Sequence, residues 1–216
     1  MFISTGSKAL DVALGGGARG GFLTDVYGES GSGKSQLCFT LCANCSRAGG
    51  RAMFVDTAGT FRPERVSEIA GGNVLDRIAF VRALHTEDQI AALEKARSMD
   101  VQLLIVDTLT SLFSAEYVGP ARHLAVMSHL HDLSVFAITS GCAVVVTNMV
   151  RNVPTEGRPV QREYLGSSVS IYSHAKMRLE IENAARGQFK AIMVQPPGKN
   201  AQFSVTALGV SDRPNA

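Results

Sequence analysis

The chain carries 216 residues, 45% of them hydrophobic and 19% charged, with 21 Lys and Arg against 19 Asp and Glu for a net charge of +2. That balance excludes a disordered tail and a polybasic coat, so any nucleic-acid contact has to come from a local cluster. No apolar run approaches the roughly 18 residues that span a bilayer, and the opening MFISTGSKALD lacks the pattern of a secretion signal, so a cytoplasmic protein away from membranes is expected.

In chain order, near-continuous apolar runs alternate with helical periodicity. The first predicted strand is Phe22–Tyr27, followed by a glycine-rich loop and a helix. Arg51–Asp56, Ile78–Val81, Val101–Asp107 and Ala143–Thr147 read as further strands, apolar enough to be buried on both faces of a parallel sheet. Pro63 and Pro120 fit the first turns of two helices, and Thr86 followed by Gln89 reads as the capping box of a helix reaching about Ser98. After residue 175 the pattern changes. Lys176–Glu182 and Gln188–Val194 flank a turn at Asn183–Gly187 as an antiparallel hairpin, and Phe203–Leu208 reads as one more strand. No linker or repeat divides the chain. The expected architecture is one α/β domain, 1–216: a mostly parallel twisted sheet flanked by helices, with a C-terminal antiparallel hairpin extension.

Cys38, Cys42 and Cys45, with Cys142 further on, have a spacing that an iron–sulfur cluster or zinc could use. Spacings of four and three also put the first three on one helix face, where cysteine behaves as a small hydrophobe. The helix required after the glycine-rich loop favours that second reading.

Gly28-Glu29-Ser30-Gly31-Ser32-Gly33-Lys34-Ser35 satisfies G-x-x-x-x-G-K-[ST] between an apolar strand and a helix. Its backbone N–H groups can cradle phosphate, Lys34 can reach the β- and γ-phosphates of ATP, and Ser35 can offer its hydroxyl to Mg²⁺. Leu103-Leu104-Ile105-Val106-Asp107 supplies the acidic strand end expected nearby, so Asp107 is the candidate metal-side carboxylate.

With these residues in place, the sequence resembles the RecA/RadA recombinase family. The resemblance runs from Ile3 to about Val210 through ISTGSKALDVALGGG, SQLC, VDTAGTFRPERV, DTLTSLF and VVVTN. Short archaeal paralogues of the RadB type, a core ATPase domain alone, match best, with eukaryotic paralogues as the alternative. The resemblance implies a RecA-like P-loop core and a cytoplasmic protein, nucleoid-associated if archaeal or nuclear if eukaryotic.

Three departures from the family pattern set the functional expectation. Between Thr57 and Gly59 the family has a glutamate that orients the attacking water; here it is Ala58, with Asp56 the nearest substitute. After Thr147-Asn148 the family has a glutamine that senses the γ-phosphate; here it is Met149, a poor acceptor that donates nothing. Ahead of the core the family lends a Phe-x-x-Ala segment to its neighbour, whereas Phe2-Ile3-Ser4-Thr5 lacks the alanine, which weakens the case for a homo-oligomeric filament.

The resemblance also implies two DNA-facing loops, one near Glu116–Arg122 and one at Val150–Tyr164 with Arg151, Arg158 and Arg162 as candidate contacts. Around Tyr172, His174 and Arg178 a histidine reports on nucleotide in relatives, although His174 reads first as a surface histidine; Gln195–Lys199 resembles a cap over a neighbour's nucleotide, with Lys199 either a phosphate contact in trans or a solvated turn lysine. The expected function is an ATP-binding paralogue that contacts single-stranded DNA and a RadA-type recombinase in recombination and repair, with weak hydrolysis. The rival is a DNA-stimulated ATPase that pairs strands itself.

Overall fold

Five apolar runs of four to seven residues call for cover on both faces of a sheet, and the structure is a computed structural model describing residues 1–153 and 160–212. The elements are β1 (Phe2–Ile3), α1 (Lys8–Ala13), β2 (Ala18–Arg19), β3 (Leu23–Gly28), α2 (Lys34–Arg47), β4 (Ala52–Asp56), α3 (Pro63–Ala70), β5 (Ile78–Arg82), α4 (Thr86–Arg97) and β6 (Leu103–Asp107). There follow α5 (Ser111–Glu116), α6 (Gly119–Ser140), β7 (Ala143–Val153), β8 (Val160–Glu163), α7 (Gly166–Tyr172), β9 (Ala175–Asn183), β10 (Gln188–Gln195), β11 (Ala201–Thr206) and β12 (Gly209–Asp212). Short 3₁₀ turns occupy Leu75–Arg77 and Ala184–Arg186.

The main sheet runs β12-β11-β10-β9-β3-β7-β6-β4-β5, with β1 and β2 forming a separate pair. Strands β9, β3, β7, β6, β4 and β5 are mutually parallel, and β10 to β12 extend the sheet antiparallel. Alternation along each inner strand feeds two cores. Phe54, Ile105 and Val145 face the α2 side, packing with Leu37, Phe39 and Leu41. Val55, Leu104 and Val144 face Leu93, Leu130 and Phe136 on the side of α4 and α6. Because the inner strands are parallel, their C-terminal ends gather Gly28, Asp56, Asp107 and Met149 at one edge of the sheet, where ligands bind in such folds.

Cys38, Cys42 and Cys45 lie within α2, all buried in the α2-side core. Burial pushes their thiols up, Cys45 to about 11, which suits small hydrophobic side chains rather than thiolates.

Several expected boundaries move. The strand predicted from Val101 begins at Leu103, and the one ending at Thr147 continues to Val153, leaving the sheet after Met149 to pair with β8. Phe203–Leu208 becomes Ala201–Thr206, with Leu208 in the turn to β12. The α4 capping box sits one residue earlier. Asp88, not Gln89, accepts from the N-cap His85 backbone at 3.0 Å, while Thr86 donates its backbone N–H and hydroxyl to Glu116. Gln89 turns inward to the Leu109 carbonyl at 3.1 Å. A tertiary carboxylate has thus taken the partner that local spacing assigned to the helix itself. Among the described residues no helix is long and apolar enough to cross a membrane.

Candidate functional site

The loop between β3 and α2 is held tight by its glycines. A Cβ on Gly28 would lie 2.4 Å from the Leu179 carbonyl oxygen and 2.7 Å from Ser32 Oγ, and Gly31 and Gly33 have φ of 79° and 91°. Gly33 starts α2, so the positive end of that helix and its free N–H groups point at the loop's hollow. Lys34 Nζ donates to the carbonyls of Gly28 (2.9 Å) and Glu29 (2.8 Å), and burial lowers its pKa against the opposing charge of Asp107. Ser32 Oγ is buried with no hydrogen-bond partner among the described residues, a polar atom left for a ligand to satisfy. Over the loop lies a cavity of about 490 Å³ whose lining includes Ser30, Lys34, Ala58, Asp107 and Met149.

Asp107 ends β6, 3% exposed. One carboxylate oxygen accepts from Ser35 Oγ at 2.7 Å and the other from Thr147 Oγ1. A hydroxyl and a carboxylate side by side at a phosphate loop form a hard oxygen donor set that fits Mg²⁺. Thr147 is the residue sequence reasoning missed here; its place at the end of the expected strand Ala143–Thr147, one residue past the last β6–β7 register pair, was the available signal.

Asp56 ends β4 with its carboxylate committed to a turn. Oδ1 accepts from the backbone N–H groups of Ala58 (3.0 Å), Gly59 (2.7 Å) and Thr60 (3.2 Å), and Oδ2 from that of Phe61 (3.1 Å). Arg82 adds an ion pair at 3.2 Å. The turn explains the following motif: Phe61 joins Phe39, Phe54 and Phe80 in an aromatic cluster, and Arg65 donates to Gln36 and to the Thr206 and Ala207 carbonyls. Asp56, the one candidate for a substitute base, is not part of the cavity lining, whereas the methyl-bearing Ala58 is. Its four backbone donors and a guanidinium explain why: the carboxylate faces the turn.

Beyond Met149, β7 and β8 form a two-stranded arm. Arg151 and Arg162 are directly paired across it, both exposed, and Arg151 lies 5.6 Å from the Tyr164 ring centre. Like charges opposite one another destabilise a bare hairpin and are relieved by a bound anion. Arg158 lies outside the described residues. The expected first loop is shorter than Glu116–Arg122: only Tyr117 and Val118 separate α5 from α6, and Arg122 lies within α6, donating to the Tyr117 carbonyl and the Tyr164 hydroxyl.

His174 lies away from the nucleotide cavity, half-buried rather than at the surface. Its Nδ1 accepts from the Leu23 N–H at 3.0 Å and its ring stacks on Phe22, at the start of β3, the opposite end from the phosphate loop. Tyr172 packs edge-on against His131, and Arg178 donates to Gln161 on the arm at 3.2 Å. Lys199 is exposed in the connection between β10 and β11.

A family model described as Rad51 matches residues 1–213. The chain is 35% identical to the DNA repair protein RAD51 homolog 1 of Arabidopsis thaliana, over 97% of this chain and 69% of that protein. It is 35% identical to the DNA repair and recombination protein RadA of Metallosphaera sedula, over 97% of this chain and 72% of that protein. With the DNA repair protein RAD51 homolog B of Zea mays the identity is 39%, over 97% and 69%.

Proposed function

The chain belongs to the Rad51 family, and from that membership we propose that it is an ATP-binding protein of DNA repair and recombination that binds single-stranded DNA, assists a RadA-type recombinase and hydrolyses ATP slowly. One observation carries the weak hydrolysis. The two cavity positions where the family pattern has polar side chains hold Ala58 and Met149, and the carboxylate nearest Ala58 in sequence, Asp56, is bound into its turn.

In this reading the N–H groups of the Gly28–Ser35 loop and Lys34 hold the phosphates, Lys34 exchanging its two carbonyl partners for phosphate oxygens. Ser35 and Asp107 hold Mg²⁺, with Thr147 fixing the second carboxylate oxygen. The ion, when bound, neutralises charge on the phosphates. No side chain at 58 is able to take a proton from water, so binding is kept while the help of a general base, worth about 10²–10⁴ in rate, is missing. Arg151 and Arg162 contact the phosphates of single-stranded DNA as point charges on the arm.

Steady-state ATP turnover with and without single-stranded DNA, beside Lys34→Ala as blank, tests this. A rate near the blank, with a nucleotide-dependent thermal shift that Lys34→Ala abolishes, is the expected result. A clear DNA-stimulated rate would replace the assisting role with the rival, an ATPase that pairs strands itself.

A further inference from the structure

Three ionisable side chains from distant parts of the chain meet beneath the arm, and the nucleotide chemistry uses none of them. Lys176 on β9 and Asp25 on β3 are register partners, with side chains 3% and 0% exposed and 3.3 Å between Nζ and Oδ2. Glu163, the last residue of β8, brings its carboxylate to the same ammonium, its side chain 6% exposed. Lys176 Nζ also donates to Ser170 Oγ at 2.9 Å and to the Gly166 carbonyl at 3.2 Å, both on α7. Asn148, one residue before β7 leaves the sheet, donates from Nδ2 to Glu163 Oε1 at 2.9 Å and to the Tyr164 carbonyl at 2.7 Å, and accepts from Thr110 Oγ1 at 2.8 Å.

Two buried carboxylates face one buried ammonium, so only one of them can be ionised at little cost. Burial, and after it the charge of Glu163, raises the Asp25 carboxyl well above the ordinary carboxylate range. Of the two carboxylates Glu163 makes the closer contact to Lys176, and it is the only one of the three residues on the arm.

We propose that the buried Glu163–Lys176 pair, backed by Asp25, is the lock that holds the β7–β8 arm docked on the core, making Glu163 and Lys176 positioning residues for nucleic-acid binding that touch neither nucleotide nor nucleic acid. The proposal rests on the DNA-binding reading above and deepens it. Docking fixes where the Arg151–Arg162 pair points. A charge-neutral Gln at 163 releases the arm without leaving Lys176 alone, because the Asp25 carboxyl remains 3.3 Å from its ammonium. That fallback makes Glu163→Gln a variant that keeps its core.

The test compares the full chain with Glu163→Gln by amide hydrogen exchange, by anisotropy of a labelled oligonucleotide over a salt series, and by affinity for a fluorescent ATP analogue. Exchange across residues 150–153 and 160–163 should accelerate at least about tenfold, with β3 and β6 unchanged. Oligonucleotide affinity should fall about fivefold or more while the slope of log affinity against log salt stays the same, because no phosphate contact is lost. Nucleotide affinity should stay within about twofold, since no phosphate-loop contact changes. Gly166→Ala approaches the lock by another route: its Cβ would lie 2.6 Å from Glu163 Oε2 and push that carboxylate off Lys176 with no change of charge. It should reproduce the same three results even if Glu163→Gln fails to fold. Unchanged arm exchange in the folded variants overturns the lock, and so does a fall in nucleotide affinity that matches the fall for DNA. If the parent chain binds no oligonucleotide, the DNA-binding reading fails, and the exchange measurement still decides the lock.

Discussion

Ala58→Glu is the substitution that most directly examines the catalytic deficit. Ala58 is exposed to the cavity, and its only polar tie is a backbone N–H to Asp56 Oδ1 at 3.0 Å, which a new side chain leaves in place. The turn therefore survives, and the added carboxylate enters the space over Lys34 and Asp107. General-base help is worth about 10²–10⁴ in rate, or about 2.7–5.4 kcal/mol of barrier. Met149 stays unable to hold the γ-phosphate by hydrogen bonding, so the gain should reach no further than the lower end of that range, about tenfold to 10²-fold. The assay is phosphate release at saturating Mg·ATP with single-stranded DNA, with Lys34→Ala subtracted and Ala58→Gln as the neutral control. A folded Ala58→Glu protein that shows the parent's nucleotide-dependent thermal shift but no gain in turnover would refute the reasoning. So would an equal gain from Ala58→Gln, because an amide cannot act as the base.

Asp56→Ala should cost about 3 kcal/mol in urea unfolding, from four backbone donors and Arg82 losing one acceptor group, with water replacing part of it at the exposed Ala58–Thr60 stretch. A loss under about 1 kcal/mol would show that the turn does not depend on it. Arg151→Ala should weaken oligonucleotide binding and reduce the salt slope by about 0.7, the share of one single-strand phosphate contact; an unchanged slope removes Arg151 from the interface. His129 is buried against Phe113 with neither ring nitrogen hydrogen-bonded, and burial pushes its pKa from 6.5 down to about 4. Between those values the unfolded chain binds the proton and the folded one does not, so stability falls as pH drops from 6.5 towards 4, by about 3 kcal/mol in all. His129→Leu should flatten that window in denaturant titrations at pH 7, 5.5 and 4.5, and an unchanged pH profile would refute the assignment.

What the sequence determined by itself is what neighbours along the chain decide. The phosphate loop is eight consecutive residues between a strand and a helix, so its glycines, Lys34 and Ser35 are legible from order alone. The apolar runs at Met53–Val55 and Leu103–Val106 announce burial on both faces, because no alternation could leave one face wet. The cysteine face, the hairpin after residue 175 and the positions of Ala58 and Met149 were equally local.

Only the tertiary structure decided what depends on side chains meeting across long separations. That Asp56 is spent on its own turn shows only once four N–H groups fold back onto it and Arg82 arrives from the neighbouring strand. Thr86 looked like a cap until Glu116 reached it from 30 residues away. His174 moved to the far end of the sheet because β9 pairs parallel with β3 and begins where β3 begins. The Asp25–Glu163–Lys176 cluster has no sequence signature at all. Three charged residues so widely spaced read as solvated surface, and it is the strand order β9-β3-β7, with the arm folded over it, that takes their water away and makes them depend on one another.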